Sequence, residues 1–257
     1  MGDGIRVAGV VDALGLDRPP AIVSIVGGGG KSSLMFALAR SLPGRVVMTT
    51  TTRIFAAQMR YAEEACTLAE ENWQRRLDAG GSNRLVVGRV EGDRAVGVPP
   101  ELAAEMIGHP GISWVVVEAD GSRMRPTKAP ASHEPVIPEQ TGLLVVVVGI
   151  EALAAPIGEV AHRPERVSAI TGLGADDTLT PEALATLLTS AEGGLKAVPP
   201  DARVAVLINK VESDAQRVSA RQIADGVLRS PRVERVAIGA LQGANPSDWE
   251  VRGISLE

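Results

Sequence analysis

A run of four glycines followed by a lysine and two serines is the part of the sequence best able to do chemistry. It follows the apolar run Ala21 to Val26 and precedes leucines at helical spacing, which predicts a strand, a glycine-rich loop and a helix. In such a loop, backbone N–H groups surround a phosphate and the helix N-terminus adds partial positive charge. The residues expected to bind phosphate are Gly27, Gly28, Gly29, Gly30, Lys31, Ser32 and Ser33.

Lys31 and Ser32 supply the two side chains of a Walker A motif. The lysine of that motif neutralises the β- and γ-phosphates, and the adjacent hydroxyl binds Mg²⁺. The full pattern G-x-x-x-x-G-K-[ST] requires glycine at position 25, which is Ile25 here, so this loop is shorter. A dinucleotide-binding loop and a plain tight turn are the alternatives, although the first would need glycine or alanine at Ser32 or Ser33. We expect Mg²⁺ with ATP or GTP.

Two acids lie at the carboxyl end of a second buried strand, Trp114 to Glu118. Glu118 and Asp120 precede Gly121, and the segment resembles a Walker B strand that continues into an acid-x-x-Gly turn. We therefore expect Glu118 and Asp120 to be catalytic and, together with Ser32, to bind the metal. The sequence does not separate the roles of the two acids, and acids that simply face solvent at a strand end are the alternative.

Two further motifs follow predicted strands. Asn209, Lys210 and Glu212 resemble the guanine-reading N-K-x-D motif of GTPases, with Glu212 where aspartate is usual, and are expected to bind the nucleotide. A helix-capped turn is the alternative. Thr50 and Thr51 end the strand after the glycine-rich helix and are expected near phosphate or Mg²⁺, unless they are plain strand residues.

Residues 121 to 142 form a polar segment with four prolines that is too long for an ordinary connection, which predicts a functional loop. Lys128 and His133 are expected to be catalytic groups for a second substrate, placed beyond the reach of the glycine loop. With Glu134, Arg123 and Arg125 nearby, the loop could clamp an anion or move a proton. The separate histidines His109 and His162 are interpreted as surface or capping residues.

The elements that must position these residues alternate between buried strands and helices. The chain has 257 residues, 45% apolar but only 2% aromatic, as expected for an α/β core of aliphatic side chains. We predict a P-loop NTPase-like fold, with a mainly parallel sheet and helices on both faces, and ligands beyond the carboxyl ends of the strands. One domain is expected over residues 1–257, with a hairpin insertion at about 54–98 that includes a hairpin from Arg84 to Val98.

The composition also excludes several classes of protein. There are 26 basic and 31 acidic residues without a basic run, so a nucleic-acid partner is not expected. The single cysteine, Cys66, excludes an internal disulfide and a cysteine-clustered zinc site. The longest apolar run, Leu143 to Ile150, is far short of a membrane span, so we expect no membrane partner and a cytoplasmic location.

The motifs together resemble the YqeC-type family, whose members are assigned to the maturation of selenium-dependent molybdenum hydroxylases. The segments that carry the resemblance are Ile25–Leu34, Thr49–Ile54, Val117–Ser122, Lys128–Pro138, His162–Glu165 and Asn209–Lys210. Lys128–Pro138 is the most specific of them, because no general need of nucleotide binding accounts for it. Ser32 stands where threonine is frequent in the family.

The resemblance implies an accessory protein, an NTPase that acts in hydroxylase maturation or cofactor insertion. Its partner would be a molybdenum hydroxylase or a precursor of the hydroxylase cofactor. Two alternatives stay open: a kinase that phosphorylates a small cofactor precursor, and a GTP-gated metal or cofactor chaperone whose hydrolysis switches a loop.

Overall fold

The computed structural model describes residues 4–18, 21–78, 83–242 and 248–253. Its strands are β1 (Ile5–Val7), β2 (Ala21–Gly27), β3 (Arg45–Thr50), β4 (Arg53–Phe55), β5 (Glu64–Thr67), β6 (Arg84–Val87), β7 (Arg89–Glu91), β8 (Arg94–Val96), β9 (Ile112–Glu118), β10 (Thr127–Lys128), β11 (Thr141–Gly149), β12 (Ala161–His162), β13 (Arg203–Asn209), β14 (Arg235–Ile238) and β15 (Trp249–Gly253). Its α-helices are α1 (Val10–Leu14), α2 (Lys31–Ser41), α3 (Trp73–Asp78), α4 (Leu102–Ile107), α5 (Ile157–Val160), α6 (Pro164–Thr171), α7 (Pro181–Thr189) and α8 (Asp214–Val227), and 3₁₀ turns cover Ala56–Tyr61 and Ile150–Leu153.

One large sheet has the strand order β1-β15-β14-β13-β11-β2-β9-β3-β6-β5. All neighbours from β14 to β5 are parallel, whereas β15 and β1 add two antiparallel pairings at one edge. The prediction of an α/β fold with a mainly parallel sheet is confirmed. Because parallel strands end at the same edge, the segments that follow β2, β3, β9, β11 and β13 meet there.

Side chains that alternate along the strands feed two separate cores. Val23 and Ile25 of β2 pack with α1 and α2 on one face of the sheet. Ile22 and Val26 belong to the core on the other face, to which α3 through α8 contribute. Helices therefore cover both faces, as the near-continuous apolar strands predict. Among the described residues, none of the helices combines the length and apolarity needed to cross a bilayer.

The segment after β3 differs from the predicted hairpin. β7 and β8 do pair antiparallel, with Gly92 at the turn, and β4 joins them in a three-stranded sheet. The expectation that the hairpin starts at Arg84 was wrong, because β6 (Arg84–Val87) lies in the large sheet between β3 and β5. All four residues of β6 are buried, as a parallel strand covered on both faces requires.

Candidate functional site

The glycine run connects the central strand β2 to the N-terminus of α2. The first intrahelical hydrogen bond is donated by Leu34 N–H to the Gly30 carbonyl at 2.9 Å. The N–H groups of Lys31, Ser32 and Ser33 precede that ladder, and these residues line a large cleft. Gly30 has φ of 135°, a backbone conformation that only glycine adopts readily. The helix terminus is thus an anion-accepting feature in the wall of the cleft.

The first three glycines serve a different purpose from the one expected of them. The N–H groups of Gly27, Gly28 and Gly29 donate to Asp120 Oδ2 at 3.1 Å, the Val147 carbonyl at 2.9 Å and the Arg125 carbonyl at 3.0 Å. All three N–H groups bond protein acceptors, and of the three residues Gly29 lines the cleft whereas Gly27 and Gly28 do not. A Cβ at Gly28 would lie 2.5 Å from the Arg125 oxygen, so glycine is needed here for close backbone packing.

The side chains of Lys31, Ser32, Glu118 and Asp120 form one buried network. The Lys31 ammonium, only 3% exposed, donates to the Gly27 carbonyl at 2.7 Å. It lies 3.9 Å from Glu118 Oε1 and 3.3 Å from Asp120 Oδ1. The Ser32 hydroxyl donates to Glu118 Oε2 at 2.7 Å. The sequence-predicted lysine, hydroxyl and acids are therefore brought together at the carboxyl ends of β2 and β9.

The two acids, which the sequence left equivalent, have different surroundings. Glu118 lines the cleft and accepts a hydrogen bond from the Ser32 hydroxyl. Asp120 does not line the cleft and accepts a hydrogen bond from the Gly27 amide. Burial raises the pKa of the Glu118 carboxyl, and Lys31 and Ser32 partly oppose that rise. Asp120 Oδ1 is buried without a hydrogen-bond donor among the described residues. Glu118 is thus the acid that a ligand in the cleft would meet first.

The hydroxyl and carboxylate oxygens here match the ligand preference of Mg²⁺. Within the described ranges, no three His, Cys, Asp or Glu residues form a metal cluster. Mg²⁺ is commonly held by one or two carboxylates together with substrate phosphates and water, so Ser32 and Glu118 fit this ion as a shared site. The protein would supply only part of the coordination.

Lys128 is buried directly behind these residues. Its ammonium lies 3.0 Å from Asp120 Oδ2 and donates to the Gly121 carbonyl and to Glu134 Oε2, each at 2.7 Å. The expectation that Lys128 lies beyond the reach of the glycine loop was wrong, because its partner Asp120 itself holds the Gly27 amide. Lys128 thus fastens the loop 121–138 and does not line the large cleft.

Glu134 links Lys128 to the surface of the cleft. Its Oε2 also accepts from Arg163 at 2.8 Å. Burial alone would raise the pKa of Glu134, but the hydrogen bonds and charges of Lys128 and Arg163 lower it to about 2. Glu134 is therefore a carboxylate over the whole physiological range.

The cleft has a volume of about 820 Å³ and is rich in basic side chains. The lining side chains that carry charge or titrate are Lys31, Arg53, Arg94, Glu118, Arg123, His133, Glu134, His162, Arg163 and Lys210. His133 is exposed and lines the same cleft as Gly29, Gly30 and Lys31. His162 was interpreted as a surface or capping residue, yet it also lines the cleft. Burial and the charges of Arg163, Lys128 and Arg123 lower the pKa of His162 to about 4.

The threonines after β3 are mostly committed to backbone contacts. Thr50 is fully buried and donates to the Glu118 carbonyl at 2.8 Å, so it does not reach the cleft. Thr51 lines the cleft, but its hydroxyl donates to the Val136 carbonyl at 2.6 Å. Both residues fasten neighbouring segments, which accounts for their place beside the site.

The residues after β13 surround a second, smaller cavity of about 400 Å³. Asn209 is buried, donates to the Gly29 carbonyl at 2.8 Å and accepts from Leu241 N–H at 3.0 Å. Lys210 pairs with Glu151, and Glu212 lies exposed at the cavity. Gly30, Ser33 and Lys210 line both cavities, so the two are adjacent across the N-terminus of α2.

Known proteins are similar to this chain over the region that forms the site. Residues 23–165 match the family model described as YqeC protein. The chain is also 31% identical over 237 residues to a protein of Escherichia coli (strain K12) named "Uncharacterized protein YqeC", covering 91% of this chain and 92% of that protein. The chain belongs to the YqeC family. The part matched by the YqeC model contains the glycine loop, Glu118 and Asp120, and every residue that lines the large cleft except Lys210.

Sequence reasoning did not select Arg53, Arg94 or Arg163 as site residues. A weak signal existed for Arg53 and Arg163. Arg163 precedes Pro164, which starts a helix, and Arg53 and Phe55 are two apart in a strand, so they share a face. The YqeC resemblance includes both Arg53 and Arg163, but it does not give them a role.

Proposed function

We propose that this protein binds a Mg²⁺-nucleoside triphosphate at the N-terminus of α2, in a P-loop NTPase-like fold, and hydrolyses or transfers its terminal phosphate. One observation carries the proposal. The Lys31 ammonium and the Ser32 hydroxyl both contact Glu118, the acid at the end of the adjacent parallel strand, in the wall of the cleft. A lysine, a hydroxyl and a strand-end acid at one helix N-terminus match the needs of phosphate and Mg²⁺.

Each residue then has a separate task. The N–H groups of Lys31, Ser32 and Ser33 bind phosphate oxygens, and the Lys31 ammonium moves from its carboxylate partners to the phosphates. Ser32 and Glu118 hold Mg²⁺, which neutralises charge on the phosphate oxygens when it is bound. Asp120 keeps the Gly27 amide in place and pairs with Lys128, so it is a positioning residue.

Hydrolysis at this site requires a water oxygen to attack the γ-phosphorus while the bond to the bridging oxygen breaks. The products are the nucleoside diphosphate and inorganic phosphate. In the alternative transfer reaction, an oxygen of a small acceptor takes the place of the water. The size of the large cleft beyond the helix terminus is the observation that keeps this kinase alternative open.

The smaller cavity is the proposed place of the base. Asn209 holds the glycine loop, and Glu212 offers a carboxylate that could accept hydrogen bonds from guanine. This arrangement favours GTP, and ATP is the alternative that a direct comparison of affinities decides.

We place this activity in the maturation of selenium-dependent molybdenum hydroxylases, including cofactor insertion. The support is the resemblance of the Lys128–Pro138 segment. Lys128 bonds Gly121 and Asp120, and Asp120 holds the Gly27 amide, so a family-specific sequence is connected to the proposed nucleotide site. A hydroxylase or a precursor of its cofactor is the proposed partner. A GTP-gated chaperone switch is the alternative within the same setting.

Phosphate release from ATP and GTP in the presence of Mg²⁺ tests the activity. Glu118→Gln keeps the size of the side chain but removes its charge, and we expect release to fall about 100-fold or more. Glu105→Gln, at an exposed residue of α4 outside the cleft, is the matched control and should release phosphate at the wild-type rate.

Release only with a small acceptor present identifies a kinase, and slow release accelerated by a partner protein identifies a switch. Equal rates for the wild type and Glu118→Gln would contradict the proposal.

A further inference from the structure

One wall of the large cleft is a face of the three-stranded sheet. In the pairing of β4 with β8, Arg53 lies opposite Val96 and Phe55 lies opposite Arg94. Directly opposed residues point to the same face, and the intervening pair, Ile54 and Ala95, is buried in the core behind. The Arg94 guanidinium lies 3.7 Å from the centroid of the Phe55 ring, a cation–π contact that holds it in place.

Two further arginines, Arg123 and Arg163, line the same cleft from outside the three-stranded sheet. Arg123 is exposed and, within the described part of the chain, has no acceptor. Arg123 and Met124 have φ of 49° and 62°, and Arg163 has φ of 65°. Left-handed backbone at three non-glycine residues is costly and concentrates where a loop holds side chains for a ligand.

The charge of the cleft is unbalanced toward positive. Glu118 and Glu134, its two lining carboxylates, are already bonded to Ser32, to the buried Lys128 and to Arg163. Among the described residues, the acidic partners of Arg53 and Arg94 are Glu91 at 3.3 Å and Asp93 at 3.8 Å, both of them exposed to solvent. Exposed pairs of this kind contribute little, so both guanidinium groups are available to a stronger anion.

We propose that this cleft binds a second, anionic substrate, whose phosphate or carboxylate group is bound by the arginines that line it, Arg123, Arg94 and Arg53. The inference rests on the proposed function in one respect: the proposed function places the terminal phosphate of the nucleotide at Lys31 and Ser32. Since Gly30 and Ser33 line both cavities, a nucleotide with its base in the smaller one directs that phosphate toward the anion.

His162 supports the choice of an anion over a cation. Its imidazole lines the cleft and has a pKa lowered to about 4, through burial and then the nearby Arg163, Lys128 and Arg123. A bound anion would offset those positive charges and raise the pKa of His162. A histidine NMR titration would report this.

Calorimetric titration with inorganic phosphate and with citrate tests the proposal, on the full chain with and without Mg²⁺-ADP. We expect an oxyanion to bind in both conditions, and Arg123→Gln to weaken that binding about tenfold by removing a charge-assisted hydrogen bond. Arg40→Gln, at an exposed residue near the C-terminal end of α2, is the matched control and should bind as the wild type does. Binding of phosphate alone indicates a phosphate group on the substrate, and binding of citrate alone indicates a carboxylate group. Binding of both indicates that the cleft accepts either group.

The proposal is overturned if neither anion binds the wild type, or if Arg123→Gln binds as tightly as the wild type does. Failure of the proposed function has a different appearance. In that case neither ATP nor GTP binds. The anion titrations on the nucleotide-free chain still show whether the cleft binds an anion through Arg123.

Discussion

At the scale of single residues, Lys31 has two tasks. It is expected to bind phosphate, but in this structure it also neutralises the buried Glu118 and Asp120. Removal of Lys31 would therefore affect the fold as well as phosphate binding, since it leaves a buried carboxylate without its close cation. Lys128 pairs directly with Asp120, whereas it acts on Glu118 only through a weaker charge interaction.

We therefore expect Lys31→Ala to lose nucleotide binding and also about 3 kcal/mol of stability at neutral pH. The pKa of Glu118 is already raised, and loss of Lys31 raises it further. A raised carboxyl pKa favours folding at low pH, and this contribution disappears as the pH rises through the folded-state pKa. The stability loss should therefore be smaller at about pH 5 than at about pH 7.

Urea unfolding of Lys31→Ala at the two pH values measures this, with the exposed Arg40→Ala on the same helix as control. A loss of stability that does not depend on pH would show that Glu118 is not the group left unpaired.

At the scale of elements, the loop 121–138 is docked on the glycine loop through backbone contacts. Gly29 N–H donates to the Arg125 carbonyl, and Gly149 N–H donates to the Pro126 carbonyl at 2.9 Å. The Cβ of alanine at position 28 would clash with both residues 125 and 126, whereas a Cβ at Gly121 meets nothing within 4 Å. The two glycines therefore form a matched pair for testing the contact.

Gly28→Ala should cost about 1–3 kcal/mol by overpacking and should release the loop. Hydrogen exchange of residues 121–138 is expected to accelerate in Gly28→Ala and to stay at the wild-type rate in Gly121→Ala. Unchanged exchange in both variants would mean that the loop is held elsewhere.

The end of β13 gives the second prediction at this scale. Glu212 is exposed at the smaller cavity, so its removal should leave the fold intact. We expect Glu212→Ala to weaken the binding of GTP by about 1–3 kcal/mol and the binding of ATP by much less, because the N–H donors of guanine lose their acceptor. Calorimetry with both nucleotides measures this, with Glu105→Ala as control. Equal losses of affinity for GTP and ATP would mean that the segment 209–212 is a turn without a role in base selection.

At the scale of the whole molecule, the motifs that are contiguous in sequence were predictable. The strand–loop–helix at residues 21–41 and the acids after β9 could be read from spacing, and the parallel sheet orders them along one edge. The sequence did not reveal β1 or β15. β1 at the edge of the sheet and its neighbour β15 are only three and five residues long, and both lack the buried apolar run that identifies a central strand.

Contacts that depend on the docking of distant segments could not be predicted either. The pairing of Lys128 with Asp120 and of Arg163 with Glu134 requires the fold of the 121–138 loop. The arginines of the cleft wall acquire a common direction only when β4 pairs with β8. Spacing along the chain carries no information on such pairings. The sequence therefore predicted the anion-accepting N-terminus of α2 but not the basic cleft in front of it.

Ser32 and Ser33 allow the central claim to be tested with two neighbouring substitutions. The Ser32 hydroxyl bonds Glu118, while the Ser33 hydroxyl makes no such bond within the described residues. The measurement is the calorimetric affinity for ATP and GTP with and without Mg²⁺. We expect the wild type and Ser33→Ala to bind at least one nucleotide with Mg²⁺-dependent affinity, and Ser32→Ala to lose that dependence, a change of about tenfold or more. No nucleotide binding by the wild type, or identical Mg²⁺ dependence in Ser32→Ala, would contradict the account.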